Sequence, residues 1–171
     1  MADTKHIINC PACGCAMTKI FIPEENINID ICLDGCGGIY FDNRELNKFD
    51  ERHENIDIIL EQIKGKEFKP VDTTQKRICP VCKTPMVKHF MSIKREVEID
   101  DCYACGGKFL DNGELEKIRA QYKDNEERTA VMREVVKETF GFEFEELEEK
   151  SFGRKKSVFK RIYDNLFFKE Y

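Results

Sequence analysis

The feature that most constrains this sequence is the placement of its nine cysteines, because eight of them form four closely spaced pairs. Two pairs lie within residues 10–36 and two within residues 79–105. Each set reads C-x2-C, then 18 or 19 residues, then C-x3-C or C-x2-C, a spacing typical of tetrahedral metal sites. We therefore predict two four-cysteine sites, with the ligands Cys10, Cys13, Cys32 and Cys36 in the first and Cys79, Cys82, Cys102 and Cys105 in the second.

The two sets of cysteines belong to an internal repeat. The stretch CPACGCAMTKIF matches CPVCKTPMVKHF at an offset of 69 residues, and CGGIYFDNREL matches CGGKFLDNGEL at the same offset. Between these blocks, the first copy has one residue fewer before its second cysteine pair and one residue more within it. The outer cysteines are therefore equally far apart in both copies, as a fixed metal cage requires. The pattern predicts two copies of one structural unit.

Zinc is the metal that we predict at both sites, as two structural Zn²⁺ ions. A unit of about 40 residues buries too little surface to fold unaided, whereas structural zinc contributes roughly 10–16 kcal/mol to folding in comparable peptides. Four protein ligands also leave no position for an activated water, which argues against a hydrolase. Iron stays open as an alternative, in a rubredoxin-like electron carrier, because four thiolates accept either metal.

The ninth cysteine, Cys15, lies close to the first pair and has no counterpart, because Thr84 occupies its place in the second copy. We do not assign it as a ligand. Isolated C-x-x-C pairs can instead be redox-active, but no strand–helix–strand pattern surrounds any of these pairs. Eight cysteines are therefore predicted as metal ligands and one as a spare thiol.

Each copy is predicted to be a three-stranded ribbon. Apolar residues alternate with polar ones at Ile27, Ile29 and Ile31, and again at Val97 and Ile99, which favours a half-buried strand. A preceding strand would contain Phe21 in one copy and Phe90 in the other. Residues 39–41 and 108–110 read as a short third strand. The predicted fold class is a small metal-stabilised α+β protein: two tandem zinc β-ribbons, each followed by a helix, with further helices at the C-terminus.

A helix start follows each ribbon, because an aspartate stands three residues before a glutamate: Asp42 before Glu45, and Asp111 before Glu114. This pattern is typical of a capping box, in which carboxylates bind the unpaired amides of the first turn. We therefore prefer it to an acid–base catalytic pair. Apolar residues at helical spacing continue from both starts: Leu46, Phe49, His53, Ile56, Ile59, Leu60 and Ile63 in the first copy, and Leu115, Ile118 and Tyr122 in the second.

These motifs together resemble the TFIIB-type zinc-finger family. In the second copy the matching residues are Cys79, Pro80, Cys82, Met86, Cys102, Cys105, Gly106, Gly107, Leu110, Asp111, Gly113, Glu114 and Leu115. The first copy departs from the pattern at its C-x3-C pair, at Tyr40 and Phe41, where Trp-Leu is common, and at Arg44, where glycine is usual. The resemblance implies a zinc ribbon similar to one in a transcription factor.

The remaining segments differ in charge, and we predict five parts of the chain. They are a first ribbon and helix (8–63), a linker (64–77), a second ribbon with the start of a helix (78–122), an acidic helical segment (123–149) and a basic amphipathic tail (150–171). The acidic segment carries a net charge of −6 and the tail +5. The linker could reach about 45 Å if fully extended.

The basic tail is the candidate contact for a protein partner or an anion, through Arg154, Lys155, Lys156, Lys160 and Arg161. Apolar residues at helical spacing accompany these cations, and such a helix can enter a partner groove, follow a phosphate backbone or lie on a membrane. It can also pack on its own protein. The net charge of −5 weakens nucleic-acid binding by the whole chain, because phosphates need clustered cations.

No signal-peptide pattern and no long apolar run occur, and a reducing compartment favours metal ligation over disulfides. We therefore expect a cytoplasmic protein. The predicted function is that of a non-enzymatic zinc-binding protein whose ribbons serve as a protein-interaction platform, and the family resemblance implies a link to transcription. A nucleic-acid binder led by the basic tail is the alternative, and membrane association is not favoured.

Overall fold

The computed structural model describes residues 6–50, 54–91, 95–122 and 125–140. Its strands are β1 (Thr18–Ile22), β2 (Ile27–Ile31), β3 (Ile39–Phe41), β4 (Val87–Phe90), β5 (Glu98–Asp101) and β6 (Lys108–Leu110). Its α-helices are α1 (Asp57–Ile63), α2 (Glu114–Ala120) and α3 (Asn125–Phe140), and a 3₁₀-helix spans Leu46–Lys48. The three predicted strands of each copy are therefore confirmed.

The two ribbons form one six-stranded antiparallel sheet, in the order β1-β2-β3-β6-β5-β4. The join is made by β3 and β6, in which Tyr40 lies opposite Phe109. These two residues are equivalent in the repeat, and their neighbours pair reciprocally, Ile39 with Leu110 and Phe41 with Lys108. The two copies are therefore related by an approximate two-fold axis that passes between Tyr40 and Phe109.

One face of this sheet carries the main hydrophobic core. Ile29 and Ile31 of β2 and Ile99 of β5 are fully buried there, since alternate side chains of a strand point to the same face. Side chains from the helical segments cover them, including Leu46, Ile59 and Leu115. Both copies contribute to this core, so neither ribbon buries its apolar face alone. The opposite face carries the cysteines.

The helix predicted after each ribbon is found only in part. In the second copy α2 begins at Glu114, directly after the ribbon. In the first copy the equivalent segment is a 3₁₀-helix of three residues, and α1 begins only at Asp57. A 3₁₀-helix places residues three apart on one side, and here it buries both Leu46 and Phe49. His53 lies outside the described residues.

The linker joins two ribbons that are already in contact, so it does not act as an extended spacer. The Lys69 amide donates to the Gly35 carbonyl (3.0 Å), and the Phe68 ring occupies the space where a Cβ at Gly37 would lie. Arg77, the last residue of the predicted linker, is buried within the second ribbon. Residues 64–77 are thus partly packed against both units.

The acidic segment 123–149 contains the predicted helix, which is α3. Residues 123–124 and 141–149 of this segment lie outside the described residues. So does the whole basic tail, with Arg154, Lys155, Lys156, Lys160 and Arg161. Among the helices that the structure describes, none is long and apolar enough to cross a membrane.

Candidate metal centre

The structure places the eight cysteines predicted as ligands in two groups of four. In each group the four sulfur atoms all lie within 4.8 Å of one another. In the first group, the Sγ atoms of Cys10 and Cys36 are 3.4 Å apart, as are those of Cys13 and Cys32. We call the first closely spaced cysteine pair of each copy its first knuckle and the second pair its second knuckle. Each short sulfur–sulfur distance thus joins one cysteine of the first knuckle to one of the second.

The second group repeats this arrangement. The Sγ atoms of Cys79 and Cys105 are 3.6 Å apart, and those of Cys82 and Cys102 are 3.3 Å apart. All eight side chains are free thiols. The C-x3-C pair of the first copy and the C-x2-C pair of the second therefore build the same four-sulfur group.

Both groups fit a zinc ion. Tetrahedral ligands at about 2.3 Å from zinc are about 3.8 Å from one another. The sulfur–sulfur distances in the close pairs of both groups are slightly shorter than this value. They are much longer than the sulfur–sulfur bond of a disulfide, which is about 2.05 Å. One ion could be held by Cys10, Cys13, Cys32 and Cys36, and a second ion could be held by Cys79, Cys82, Cys102 and Cys105. Bound zinc would supply charge neutralisation and cross-linking.

Tight turns bring the two cysteines of each knuckle together. The amides of Gly14 and Lys83 donate to the carbonyls of Cys10 and Cys79, at 2.9 and 3.0 Å. Both donors have positive φ, +77° for Gly14 and +64° for Lys83. In the second knuckle of the second copy, Gly106 donates to the Cys102 carbonyl (2.7 Å) and has a φ of +80°. Glycine tolerates this left-handed conformation at little cost, whereas lysine at position 83 does not.

Hydrogen bonds between neighbouring thiols shift their pKa values within each group. A hydrogen bond with Cys10 lowers the pKa of the Cys36 thiol to about 5, while the same bond and burial raise the pKa of Cys10. The Gly38 amide also lowers the pKa of Cys36. The two pKa values shift in opposite directions because one sulfur of the pair accepts the hydrogen bond that the other donates. A metal ion must displace the remaining protons on binding.

Two further close pairs, Cys13 with Cys32 and Cys82 with Cys102, also have pKa values shifted in opposite directions. Burial raises the pKa of Cys32 to about 12, and its partner Cys13 has a lowered pKa, because hydrogen bonds from the Cys15 backbone and from Cys32 outweigh burial. In the second group, burial raises the pKa of Cys102, the partner of Cys82. Burial acts in the same direction on Cys82, but hydrogen bonds with Thr84 bring its pKa to about 6. Burial and hydrogen bonding thus shift the pKa values of the two partners in opposite directions in both groups.

Cys15 lies beside the first group without belonging to it. A Cβ built on Gly35 would be 2.7 to 3.0 Å from the sulfurs of Cys13, Cys32 and Cys15, so the three lie around one glycine. The interaction with Cys13 raises the pKa of the Cys15 thiol. The spare thiol is thus a neighbour of the first site, as its position two residues after Cys13 indicates.

Each ribbon also places an aromatic ring against the other's second knuckle. Tyr40 of the first ribbon is fully buried, and its Oη lies 3.4 Å from Cys79 Sγ and 3.8 Å from Cys105 Sγ. A Cβ at Gly107 would overlap Tyr40, and a Cβ at Gly38 would overlap the Phe109 ring. The second glycine of each CGG motif is therefore required by the ring that packs on it.

Sequence reasoning missed Arg77, which supports the second ribbon. Its side chain is 2% exposed and donates to Asp100 (2.7 Å) and to both oxygens of Asp111 (2.9 Å each). The guanidinium also lies over the Phe109 ring, with Cζ 4.8 Å from the ring centroid. Ile8 holds the equivalent position in the first copy. A lone arginine in a polar linker gives no pattern that could have identified this role.

The capping boxes are formed by their glutamates. The Asp42 amide donates to Glu45 Oε2 and the Asp111 amide to Glu114 Oε2, both at 2.7 Å. The Asp111 carboxylate does not cap a helix as predicted, because Arg77 binds both of its oxygens. Gly113 stands at the N-cap of α2 with no side-chain cap. The acid pair is thus structural in the second copy.

A family model described as "Transcription factor zinc-finger", of the TFIIB zinc-ribbon type, matches residues 9–52 and 78–121. These regions together make up just over half of the chain and contain all eight clustered cysteines. No curated protein and no solved structure matches the chain.

Proposed function

We propose, from the premise that this chain belongs to the TFIIB-type transcription factor zinc-finger family, that it is a non-enzymatic protein with two structural zinc ions. Its ribbons would form an interaction platform for a protein partner, and a link to transcription follows from the family name alone. The observation that carries the proposal is the pair of four-cysteine groups, each with its sulfurs within 4.8 Å.

The closed ligand sets favour a structural role. Four thiolates complete the tetrahedral sphere of zinc and leave no open position for water or substrate. Most of the ligands are buried: Cys10, Cys32 and Cys36 in the first group, and Cys79 and Cys102 in the second. Binding energy at such groups stabilises the fold directly, which suits ribbons whose core is shared between the two copies.

The outer strands of the sheet are the surface that we propose for a protein partner. Strands β1 and β4 end the sheet on its two sides. Equivalent aromatic residues are exposed on them, Phe21 at 51% and Phe90 at 40%. An edge strand offers backbone groups to an extended segment, and apolar side chains beside it add affinity and selectivity. An extended apolar segment of a partner protein fits both edges.

Photo-crosslinking tests this platform. A photoreactive residue is placed at position 21 or 90 of the zinc-loaded full chain, with position 60 as the control. Leu60 is also partly exposed, at 36%, but lies on α1 and not on an edge strand. The proposal predicts that positions 21 and 90 crosslink the same partner in cell extract, and that Phe21→Ser and Phe90→Ser weaken its binding. Equal crosslinking from position 60 would argue against the edges.

Two other functions remain as predictions. Nucleic-acid binding depends on the tail 150–171, which lies outside the described residues. It predicts steeply salt-dependent binding that disappears when the tail is deleted. A rubredoxin-like carrier predicts a red protein with stoichiometric iron, whereas a colourless protein with two zinc ions excludes it.

A further inference from the structure

A single hydroxyl group of the first ribbon reaches the candidate metal site of the second. Tyr40 lies on β3 of the first ribbon, yet its Oη is 3.4 Å from Cys79 Sγ and 3.8 Å from Cys105 Sγ of the second. Both distances lie within the range of hydrogen bonds to sulfur. The two sulfurs are themselves a close pair of the second group, 3.6 Å apart.

The direction of this hydrogen bond follows from the chemistry of a metal-bound cysteine. A thiolate that binds zinc has no proton, so it can only accept, whereas a phenol can donate. A donor to a metal-bound thiolate disperses its negative charge and fixes its orientation, and loss of such contacts typically costs about 10–100-fold in metal affinity. Tyr40 is placed to act in this way on Cys79.

The packing holds the hydroxyl in place. Tyr40 is fully buried, and Gly107 leaves the space in which the end of its ring lies, because a Cβ there would be only 2.6 Å from Cζ. Antiparallel pairing with Phe109 fixes its backbone. The ring is thus pre-organised by the sheet rather than held by the sulfur contact alone.

The contact has no equivalent from the other side of the two-fold axis. The residue related to Tyr40 is Phe109, whose ring lies against Gly38 beside the first group but carries no hydroxyl. The same position therefore supplies a donor to the second site and only apolar packing to the first. The sequence difference between two otherwise matched rings makes the arrangement unequal.

We propose that Tyr40 is a positioning residue that strengthens metal retention at the second cysteine group from the first ribbon. The hydroxyl makes metal binding by Cys79 and Cys105 depend on the assembled sheet, while the first group receives no such support from Phe109. This inference rests on the proposed metal sites, and its test must distinguish the two.

The test uses the full chain loaded with ¹¹³Cd²⁺ in place of zinc and observed by NMR. Each bound ion gives its own resonance, which is assigned through its coupling to the Hβ protons of its cysteines. EDTA is then added stepwise to the unmodified protein, to Tyr40→Phe and to the control Tyr103→Phe. Tyr103 is half-exposed and stands between two ligands of the same site.

We expect Tyr40→Phe to lose the second-site resonance at an about tenfold lower EDTA concentration, with the first-site resonance changed less than twofold. Tyr103→Phe should behave as the unmodified protein. Equal shifts at both sites, or none at either, would overturn the inference while leaving two metal sites in place. Failure of the unmodified protein to show two cadmium resonances would instead contradict the proposed function. The phenylalanine ring keeps the packing, and both resonances in the saturated variant would verify that it folds.

Discussion

Tyr40 and Phe109 hold the same position in two copies of one repeat, and they lie directly opposite each other where β3 meets β6. This pairing turns two small ribbons into one sheet. Residues in register with this pair on the neighbouring strands form salt bridges, Lys19 with Asp30 in the first ribbon and Lys88 with Asp100 in the second. The repeat therefore builds an approximately symmetric unit with the two four-cysteine groups on one face and a shared core on the other.

Replacement of one ligand should remove one metal and spare the other. Cys79→Ser leaves three sulfurs in the second group, and we expect zinc content to fall from two to one with loss of sheet structure. Cys15→Ser is the matched control, because its sulfur lies beside the first group and outside it. Metal analysis measures the zinc content of both variants, and circular dichroism measures their sheet content. A Cys79→Ser protein with two zinc ions, or a Cys15→Ser protein with one, would refute the ligand assignment.

Gly107→Ala should destabilise the join between the ribbons. The added Cβ would overlap Tyr40, and overpacking of this kind typically costs about 1–3 kcal/mol. The double variant Tyr40→Ala/Gly107→Ala removes the ring that the methyl group meets. We therefore expect it to be no less stable than Tyr40→Ala alone. Urea unfolding at a fixed free zinc concentration measures the unfolding free energy of all three variants. Additive losses of that free energy would show that the two residues act independently.

Arg77→Met should be among the most destabilising changes outside the cysteines. It leaves the buried carboxylates of Asp100 and Asp111 without their guanidinium, and breaking a buried pair in this way costs about 3–5 kcal/mol. Lys76→Met is the control, since it removes a neighbouring but exposed positive charge. The thermal unfolding midpoint distinguishes the two variants. An equal decrease of the midpoint in both variants would mean that the buried ion pairs add nothing to the stability of the fold.

Glu114 should make stability fall as pH rises towards neutrality. Burial and the neighbouring Asp111 raise its pKa from 4.5 to about 7 in the folded protein. The folded protein then binds the proton more tightly than the unfolded chain, so this contribution is complete below pH 4.5 and is lost as pH rises through 7. Glu114→Gln lacks this dependence and should gain stability relative to the unmodified protein between pH 6 and 8.

The matched control for that experiment is Glu116→Gln, an exposed position on the same helix. The pH dependence of zinc binding is common to all three proteins and cancels in the difference between their unfolding free energies. A difference between Glu114→Gln and the unmodified protein that stays constant with pH would contradict the account.

The features that the sequence predicts are those fixed by local spacing. Cysteine pairs and the 69-residue repeat indicate the two four-sulfur groups. Period-two alternation locates the strands, because one face of each is buried. The capping pattern locates the start of α2, although Asp111 is bound by Arg77 rather than by backbone amides.

The features that escape prediction depend on contacts far apart in the chain. Nothing in residues 39–41 or 108–110 indicates that these strands pair with each other, since the hydrogen bonds are made by the backbone. Arg77 lies in a polar linker, and its burial follows only from the approach of Asp100 and Asp111.

The most direct test of the account is the metal content of the intact chain, measured by mass spectrometry under non-denaturing conditions with parallel elemental analysis. The account predicts two zinc ions per chain and their loss, together with the folded structure, when a strong chelator is added. Fewer than two bound metal ions, iron in place of zinc, or a chain that stays folded without metal would contradict it.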